Sequence, residues 1–493
     1  MDRNDIFKKI KETTEFDLLI IGGGASGLGV ALDATSRGLK IALVEKYDFG
    51  KGTSSKSTKL LHGGVRYLAQ GDLGLVTEAL REREYVINQA PHLASIQKFI
   101  IPFYNYWQGY YYLAGLKAYD FLSLNKSLGS SSMINKEETI KDLPNIKQDG
   151  LKGGIVYYDG QFDDTRLCID LVTTINKRGG LCINHCEFDN FIYNKDGIIN
   201  GGSVHNLISN QKITIKAKAV VNATGVFAEQ TMAKESADTD IKIVPARGSH
   251  IVVSRDFLKS DNAIMIPKTT DGRVLFLIPW KTIVIIGTTD IESKELTMEP
   301  KATEAEIDFM LSNAKVYLEK VPTKADILTT YAGLRPLAAP KADGQKSKEV
   351  SRSHIIVRSK GGLYSLLGGK WTTFRKMGED TLDEITKDKI VIDHDSTSLH
   401  IPILNPEISS TIKDYIHPEL PYSLIELERI CKDELVEMLD DVLARRTRCL
   451  FLNKVATIKI APIILDLMAR IKEKDNAWKK NQMAEFLNIL SSY

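Results

Sequence analysis

An apolar strand that leads directly into a glycine turn and a helix constrains this chain more than any other feature. Residues 17–27 read Asp-Leu-Leu-Ile-Ile-Gly-Gly-Gly-Ala-Ser-Gly. The turn holds three glycines at the spacing G-x-G-x-x-G: Gly22, Gly24 and Gly27. A second apolar stretch, Lys40 to Val44, ends at an acid, Glu45. Strand, turn, helix, strand and acid in this order are the full context of a dinucleotide-binding βαβ unit.

Each part of this unit has a physical task. Gly22 permits the tight turn, Gly24 lets the backbone approach a pyrophosphate, and Gly27 lets the helix pack closely on the strand. The start of the helix offers unpaired N–H groups and a partial positive charge to phosphates. Glu45 accepts hydrogen bonds from ribose hydroxyls and repels a 2′-phosphate. We therefore expect a bound adenine dinucleotide.

Length and composition limit the remaining possibilities. The 493 residues exceed one hydrophobic core, which predicts two or three domains. A net charge of +2 gives no global signal for nucleic acid, so we expect no nucleic-acid partner. The odd number of cysteines, 5, suits a reducing compartment. Cys182, His185 and Cys186 fall on a predicted strand whose alternation divides them between faces, so we expect no metal site there.

One aromatic stretch, Phe99 to Leu116, carries no charge. Its glycines, proline and amides make poor hydrocarbon-core composition, which argues against a membrane span. Two interpretations stay open: buried core, or a surface that enters a lipid interface, where Tyr and Trp are enriched. The first residues lack a signal peptide's basic start and apolar core, so we expect a protein that faces the cytoplasm.

The chain predicts a nucleotide fold that is interrupted and then rejoined. Helices are predicted over Leu75–Gln89, Phe162–Lys177 and Glu304–Val321. Short strands fill Leu181–Val221, and a hairpin joins Val274–Ile278 to Ile283–Gly287. A late glycine-rich strand-to-helix turn spans Gly361–Arg375, and a helical region follows from Leu424. An interrupted nucleotide fold of this kind is typical of flavoproteins.

Several sequence blocks carry a more specific resemblance. They are Thr53-Ser-Ser-Lys-Ser-Thr-Lys-Leu60, Leu61-His-Gly-Gly-Val-Arg-Tyr-Leu68, Val221-Asn-Ala-Thr-Gly225, Gly248-Ser-His250, Ile286-Gly-Thr-Thr-Asp290, Gly333-Leu-Arg-Pro-Leu337 and Gly368-Gly-Lys-Trp-Thr-Thr373. In this order they resemble the FAD-dependent glycerol-3-phosphate dehydrogenases of the respiratory type. Two features differ: Val226-Phe227 stands where the family commonly has Pro-Trp, and the C-terminal domain is short.

The resemblance implies an α/β fold with a Rossmann-like FAD-binding domain, an inserted β-sheet substrate domain and a small α-helical C-terminal domain. The expected segments are 16–98 with 151–244 and 331–385 for FAD binding, 99–150 with 245–330 for substrate binding, and 400–493 for the helical domain. It also implies FAD as cofactor. The expected cofactor-binding residues are Gly22, Gly24, Ala25, Ser26, Gly27, Glu45, Lys46, Thr53, Ser54, Ser57, Thr58, Lys59, Ala223, Thr224, Gly225, Gly369, Lys370, Thr372 and Thr373.

The implied activity is oxidation of sn-glycerol 3-phosphate to dihydroxyacetone phosphate, with hydride transfer to FAD and electrons passed to a membrane quinone. Phosphate is gripped best by forked cationic donors. The matching blocks offer Arg66 with Tyr67, Arg335, Arg352 and Lys370 for binding the substrate. A base for the hydroxyl proton is expected at His62 or His250, and Arg335 is an alternative that polarises the hydroxyl.

The resemblance also implies a peripheral association with the cell membrane on its cytoplasmic side, and it leaves a homodimer open. The main alternative is a glycerol-3-phosphate oxidase, in which oxygen replaces the quinone and hydrogen peroxide forms. An amine-oxidising flavoprotein and a tRNA-binding FAD protein are the other two. The first would need no phosphate cluster, and the second would need a basic stripe with exposed aromatic residues.

Overall fold

The computed structural model describes residues 2–64, 73–123, 128–236, 241–340, 353–392, 394–406 and 414–493, and every structural statement below concerns these residues. Its helices are α1 (Arg3–Glu12), α2 (Ala25–Ser36), α3 (Leu73–Gln89), α4 (Tyr106–Leu122), α5 (Lys136–Asp142), α6 (Asp164–Lys177), α7 (Ala228–Met232), α8 (Glu304–Tyr317), α9 (Phe374–Lys387), α10 (Leu424–Asp433), α11 (Cys449–Leu452), α12 (Lys454–Ile471) and α13 (Asn476–Ile489).

The strands form two large sheets and one small hairpin. They are β1 (Phe16–Ile21), β2 (Ile41–Val44), β3 (Leu60–Leu61), β4 (Ala94–Phe103), β5 (Ser132–Asn135), β6 (Gly153–Phe162), β7 (Leu181–Ile183), β8 (Cys186–Tyr193), β9 (Ile199–Asn206), β10 (Gln211–Asn222), β11 (Ile241–Ser254), β12 (Ala263–Ile266), β13 (Leu275–Trp280), β14 (Ile283–Gly287), β15 (Ile291–Glu292), β16 (Ile327–Pro340), β17 (His354–Arg358), β18 (Leu363–Gly368), β19 (Tyr415–His417) and β20 (Leu420–Ser423).

The first sheet is the predicted nucleotide fold. Its strand order is β17-β18-β10-β1-β2-β7, and β1 pairs in parallel with both β2 and β10. Almost every residue of β1 and β2 is buried, as in a parallel sheet covered by helices on both faces. The predicted small strands of Leu181–Val221 are confirmed as β7 to β10. The first glycine turn, the second one after β10 and the turn after β18 therefore meet at one edge of this sheet.

The second sheet is antiparallel over most of its extent and has the order β15-β11-β14-β13-β12-β4-β6-β3. The long strand β16 pairs with β11, which places Tyr331 opposite His250 and Arg335 opposite Ala246. The predicted hairpin is confirmed as β13 and β14. Strand pairing puts 153–162 and 331–340 in this sheet. The sequence predicted both segments for the FAD-binding part. Pairing between strands far apart in the chain leaves no local signal in the sequence.

The helical C-terminal region packs directly on the second sheet. Its helices α10 to α13 share one apolar cluster with sheet residues that include Phe99, Trp280 and Tyr331. A π-helical turn, Asp441–Arg446, lies between α10 and α11. The helix α1 was not predicted, and the buried Arg3 anchors it by donating to the backbone oxygen of Asn184 at 2.8 Å.

The aromatic stretch is buried core in its first part, and most of its second part is helical and exposed; the lipid-interface interpretation stays a prediction. Residues as far as Phe103 form the buried end of β4. From Tyr106 onward the chain forms α4, in which Gly109, Leu116 and Tyr119 are buried. Among the described residues, helices that combine the length and the apolar composition needed to cross a bilayer are absent.

Candidate active site

A cavity of about 680 Å³ opens at the edge of the first sheet where the glycine turns meet. Most of the predicted cofactor-binding residues line it. These are Gly22, Gly24, Ala25, Ser26, Glu45, Lys46, Thr53, Ser54, Ala223, Thr224, Gly225, Gly369 and Lys370. The carboxyl ends of parallel strands are where α/β folds bind nucleotides.

The cavity floor is backbone, and glycine is what makes this possible. A Cβ at Gly27 would lie 1.9 Å from the oxygen of Gly22, and one at Gly22 would lie 2.6 Å from the oxygen of Ala223. The helix α2 begins here with Gly24, whose missing side chain leaves the helix start open to the cavity. The Ser54 hydroxyl accepts a hydrogen bond from the Ala25 N–H at 2.9 Å.

Glu45 follows the end of β2, and two backbone hydrogen bonds fix its carboxylate. Its carboxylate accepts hydrogen bonds from the N–H of Gly23 at 2.7 Å and from the N–H of Tyr47 at 2.8 Å. Burial raises the pKa of Glu45, and these two hydrogen bonds oppose that rise. Glu45 lines the cavity, where the sequence predicted that it binds ribose hydroxyls.

A second cavity, of about 270 Å³, adjoins the first and lies against the second sheet. The two cavities share five lining residues: Thr53, Pro336, Gly369, Lys370 and Trp371. The Trp371 indole donates to the backbone oxygen of Ser54 at 2.9 Å, which fastens the late glycine turn to the 50–59 segment. A group bound in the first cavity therefore ends where the second one begins.

Both predicted histidines line the second cavity. His250 is buried, its Nε2 lies 2.9 Å from the Thr58 hydroxyl, and its ring stacks on Tyr331 at a centroid distance of 4.5 Å. Burial, followed by the charges of Lys59 and Arg335, holds the pKa of His250 well below its usual range. The lowered pKa favours the unprotonated imidazole, which is the form that can accept a proton.

The position of His62 depends on a buried hydrogen-bond network beside it. The N–H of Gly63 donates to the Tyr119 hydroxyl at 2.9 Å, and that hydroxyl donates to Asp159 at 3.0 Å. Arg83 balances the Asp159 carboxylate at 2.7 Å. Asp159 also lines the cavity, so this network joins its wall to α4.

Lysines and arginines from four separate segments line the second cavity: Lys56, Arg273, Arg335 and Lys370. Arg335 lies over Gly248 and donates to the backbone oxygen of Thr289 at 3.2 Å and to Asp290 at 3.3 Å. Lys370 lines the boundary between the two cavities. Arg66, Tyr67 and Arg352, the other predicted substrate ligands, lie outside the described residues.

Sequence reasoning missed Lys56, which is bonded to Glu299 at 2.5 Å, and a second cation of this cavity, Arg273. It lies in the loop after β12, where its Nε donates to Asp271 at 2.6 Å and its guanidinium lies over Phe309 at 4.8 Å. The Asp-Gly-Arg sequence before β13 is typical of an ordinary turn. Its place beside the predicted hairpin was the one sequence signal that could have indicated Arg273 as a site residue.

Six of the predicted cofactor contacts do not line the first cavity. Lys59 lines neither cavity, because its ammonium group is buried behind them and donates to Asp164 at 2.6 Å. Thr373 is also buried outside both cavities. Ser57, Thr58 and Thr372 line the second cavity rather than the first. Gly27 lies beneath the cofactor cavity, where it serves helix packing.

This chain is similar to known proteins over most of its length. Residues 17–375 match the family model for FAD dependent oxidoreductases, and residues 382–479 match the C-terminal domain of alpha-glycerophosphate oxidase. The probable mitochondrial glycerol-3-phosphate dehydrogenase of Caenorhabditis elegans is 36% identical, with 95% of this chain and 72% of that relative covered. The human mitochondrial glycerol-3-phosphate dehydrogenase is 33% identical, with coverages of 96% and 73%. The chain belongs to the FAD-dependent glycerol-3-phosphate dehydrogenase family.

Solved structures agree with this family membership. The glycerol-3-phosphate dehydrogenase of Bacillus halodurans, complexed with FAD, is 25% identical and superposes with a TM-score of 0.78 over 99% of this chain and 97% of that one. An L-alpha-glycerophosphate oxidase from Mycoplasma pneumoniae has the same fold, at 17% identity and a TM-score of 0.58, over 76% of this chain and 95% of that one.

FAD is the cofactor of this family, and the residues present fit it. The open start of α2 and the close backbone approach at Gly22 suit a pyrophosphate, and Glu45 suits a ribose. Gly225 has φ of 60° and nothing within 4 Å of where a Cβ would stand, so the second turn leaves the same cavity clear. The shared boundary residues would then border the isoalloxazine.

Proposed function

We propose that this chain oxidises sn-glycerol 3-phosphate to dihydroxyacetone phosphate and passes the electrons to a membrane quinone. The observation that carries the proposal is the junction of the two cavities, where one wall serves both a dinucleotide site and a pocket with two histidines and several cations. When bound, FAD supplies a ring that accepts a hydride from the substrate carbon. The protein supplies binding, orientation and proton transfer.

The cationic side chains of the second cavity anchor the substrate. A phosphate dianion in a partly dry pocket needs charge-assisted donors, and Arg335 presents a forked guanidinium at the wall. Arg273 adds a second guanidinium from another loop. Lys370, at the boundary with the cofactor cavity, also stabilises negative charge that develops on the flavin side.

Loss of a hydride from an alcohol carbon must be accompanied by loss of the hydroxyl proton. A positioned base is worth about 10²–10⁴-fold in rate. His250 is neutral because of its surroundings, and His62 lies in the same cavity next to the anchored Gly63. Either imidazole can take the proton, and the choice between them stays a prediction to be tested by mutation.

Steady-state turnover with two acceptors tests the activity. With glycerol 3-phosphate and a short-chain quinone analogue, we expect stoichiometric dihydroxyacetone phosphate without hydrogen peroxide. Peroxide formed at the full rate in air, independent of the quinone, would establish the oxidase alternative. The match of residues 382–479 to an oxidase C-terminal domain is the reason for testing it. Turnover of glycine or sarcosine instead would place the chain among amine-oxidising flavoproteins.

The helix α4 is the surface that we propose for contact with lipid and quinone. It exposes a series of aromatic side chains, with Trp107 at 82%, Tyr111 at 72% and Phe121 at 78% exposure. Lys117 and Asp120 are its charged residues. Tyr and Trp prefer the boundary between water and hydrocarbon, so this face is suited to a bilayer surface. Tyr119 of the same helix reaches the network beside His62, which brings a lipid-bound acceptor near the substrate cavity.

Vesicle flotation tests the lipid contact. The double variant Trp107→Gln with Tyr111→Gln should lose most of its vesicle binding while its FAD content stays unchanged, because the changed side chains lie outside both cavities. A matched control is Tyr193→Gln, an exposed tyrosine on β8. Equal vesicle binding by all three proteins would refute α4 as the lipid-facing surface.

We also propose a peripheral location on the cytoplasmic side of the cell membrane, as the family resemblance implies. A homodimer also stays a prediction, which light scattering of the FAD-loaded protein tests. We propose no nucleic-acid partner.

A further inference from the structure

A buried charge cluster lies directly behind the second cavity. It consists of Lys59, Asp164 and Arg448. The Lys59 ammonium donates to Asp164 at 2.6 Å and to the backbone oxygen of Ser55 at 2.8 Å. The Arg448 guanidinium donates to the same two partners, at 3.2 Å to Asp164 and 3.0 Å to Ser55. All three side chains are fully or almost fully inaccessible to solvent.

While Lys59 is protonated, below its pKa of about 7, the cluster has an excess of positive charge. Two cations share the single Asp164 carboxylate. The next carboxylate, Asp163, lies 3.7 Å from Arg448 but is also 3.3 Å from Lys281. Burying an uncompensated charge is costly, so a cluster of this kind needs a reason other than stability. Three aromatic rings, of Tyr331, Phe451 and Trp280, surround the ammonium at 5.1, 5.0 and 6.0 Å.

Two contacts connect this cluster to His250. Thr58, the residue before Lys59, places its hydroxyl 2.9 Å from His250 Nε2. Tyr331, whose ring centroid lies 5.1 Å from the Lys59 ammonium, stacks on His250 and donates its hydroxyl to the Ser57 oxygen at 3.1 Å. Lys59 itself has φ of 61°, a left-handed conformation that a lysine keeps only when its surroundings hold it there.

We propose that Lys59, held by Asp164 and Arg448, is a positioning residue that keeps His250 as a neutral imidazole and fixes the Thr58 hydroxyl against it. The inference rests on the proposed function, because a neutral His250 matters most where a hydroxyl proton must be accepted. It assigns to Lys59 and to the C-terminal Arg448 a task that neither performs by touching cofactor or substrate.

The other charged groups around His250 do not substitute for the charge of Lys59. From β16, Arg335 faces the imidazole but is paired with Asp290. From β14, the neighbour is Gly287, whose missing side chain leaves room for the ring. The remaining titratable groups that line the cavity, besides Tyr157, are Lys56, His62, Asp159, Arg273 and Lys370. Asp159 is balanced by Arg83, and Lys56 is bonded to Glu299 at 2.5 Å, so neither leaves a full charge facing His250.

Nuclear magnetic resonance of labelled histidine tests the proposal directly. The pKa of His250 is measured in the FAD-loaded protein without substrate, with its signal assigned by loss in His250→Gln. In Lys59→Met the pKa of His250 should rise toward the ordinary value of 6.5, because a nearby positive charge is gone. The control Lys281→Met removes a lysine on the far side of Asp163 and should leave that pKa unchanged.

Kinetics add a second readout. The acid limb of the flavin reduction rate should move to higher pH in Lys59→Met, a change that a merely structural role would not produce. If Lys59→Met fails to retain FAD, Lys59→Gln keeps a hydrogen bond to Asp164 without the charge and serves in its place. An unchanged His250 pKa in either variant, or an equal shift in Lys281→Met, would overturn the proposal. Because the titration needs no substrate, it stands apart from the test of glycerol 3-phosphate oxidation.

Discussion

The two adjoining cavities are built in opposite ways. The cofactor cavity is bordered by three glycine turns, a helix start and the acid Glu45, each next to the end of a strand of the first sheet. The substrate cavity is mostly side chains, with Arg335 from β16, His250 from β11, His62 after β3 and Arg273 from the loop after β12. A backbone site fails when a Cβ is added, whereas a side-chain site fails when a functional group is removed.

The sharpest test of the backbone site is Gly27→Val. Its Cβ would stand 1.9 Å from the Gly22 oxygen, and overpacking typically costs about 1–3 kcal/mol. We expect a purified protein without FAD and with a lower melting temperature, measured by flavin absorbance and thermal unfolding. The control Gly74→Ala on α3 meets nothing within 4 Å and should keep its FAD. Full FAD content in Gly27→Val would show that the backbone does not define this site.

Arg335→Met should impair the substrate site and leave the cofactor site intact, which is the reverse of the expectation for Gly27→Val. Losing a hydrogen bond to a charged group costs about 1.5–3 kcal/mol, which is about 10–150-fold in kcat/KM for glycerol 3-phosphate. FAD content should stay unchanged, and the slow reaction with glycerol should be hardly affected. The control Arg247→Met changes an arginine of the adjacent strand that is paired with Glu306 at 3.0 Å. Equal losses with glycerol and with its phosphate would contradict a phosphate-binding role.

Arg273→Met should give a smaller effect of the same kind. This guanidinium is already paired with Asp271, so we expect an increase in KM of about tenfold or less, at roughly 1 kcal/mol. Initial-rate kinetics measure it. A decrease in kcat at unchanged KM would instead indicate that Arg273 acts on the chemical step.

The pH dependence of stability gives the smallest and most specific effect. Burial and the Arg448 charge lower the pKa of Lys59 from 10.5 to about 7. Between these two values the unfolded chain binds a proton that the folded chain does not, so the free energy of unfolding rises with pH in this window. Thermal unfolding of the FAD-loaded protein should show this rise between pH 7 and pH 9, and Lys59→Met should lack it. Parallel curves for the two proteins would place the pKa of Lys59 elsewhere.

The difference between the two cavities also explains what the sequence predicted. The turn at Gly22, the acid Glu45 and the late turn at Gly369 are local patterns, and all were placed correctly at one cavity. The substrate residues were predicted from the family resemblance. The pairing of β11 with β16 is what brings His250 and Arg335 to the same cavity. Arg273 was missed, and Lys59 was predicted only as a cofactor contact, because the surroundings of both depend on contacts between segments far apart in the chain, such as Arg448 with Ser55.

One measurement tests the joined-cavity account most directly: the absorbance of the bound flavin in the absence of oxygen when glycerol 3-phosphate is added. The account predicts rapid bleaching of the oxidised flavin with this substrate, and little bleaching with glycerol. A flavin that stays oxidised with glycerol 3-phosphate would contradict the account, even if the protein binds FAD fully.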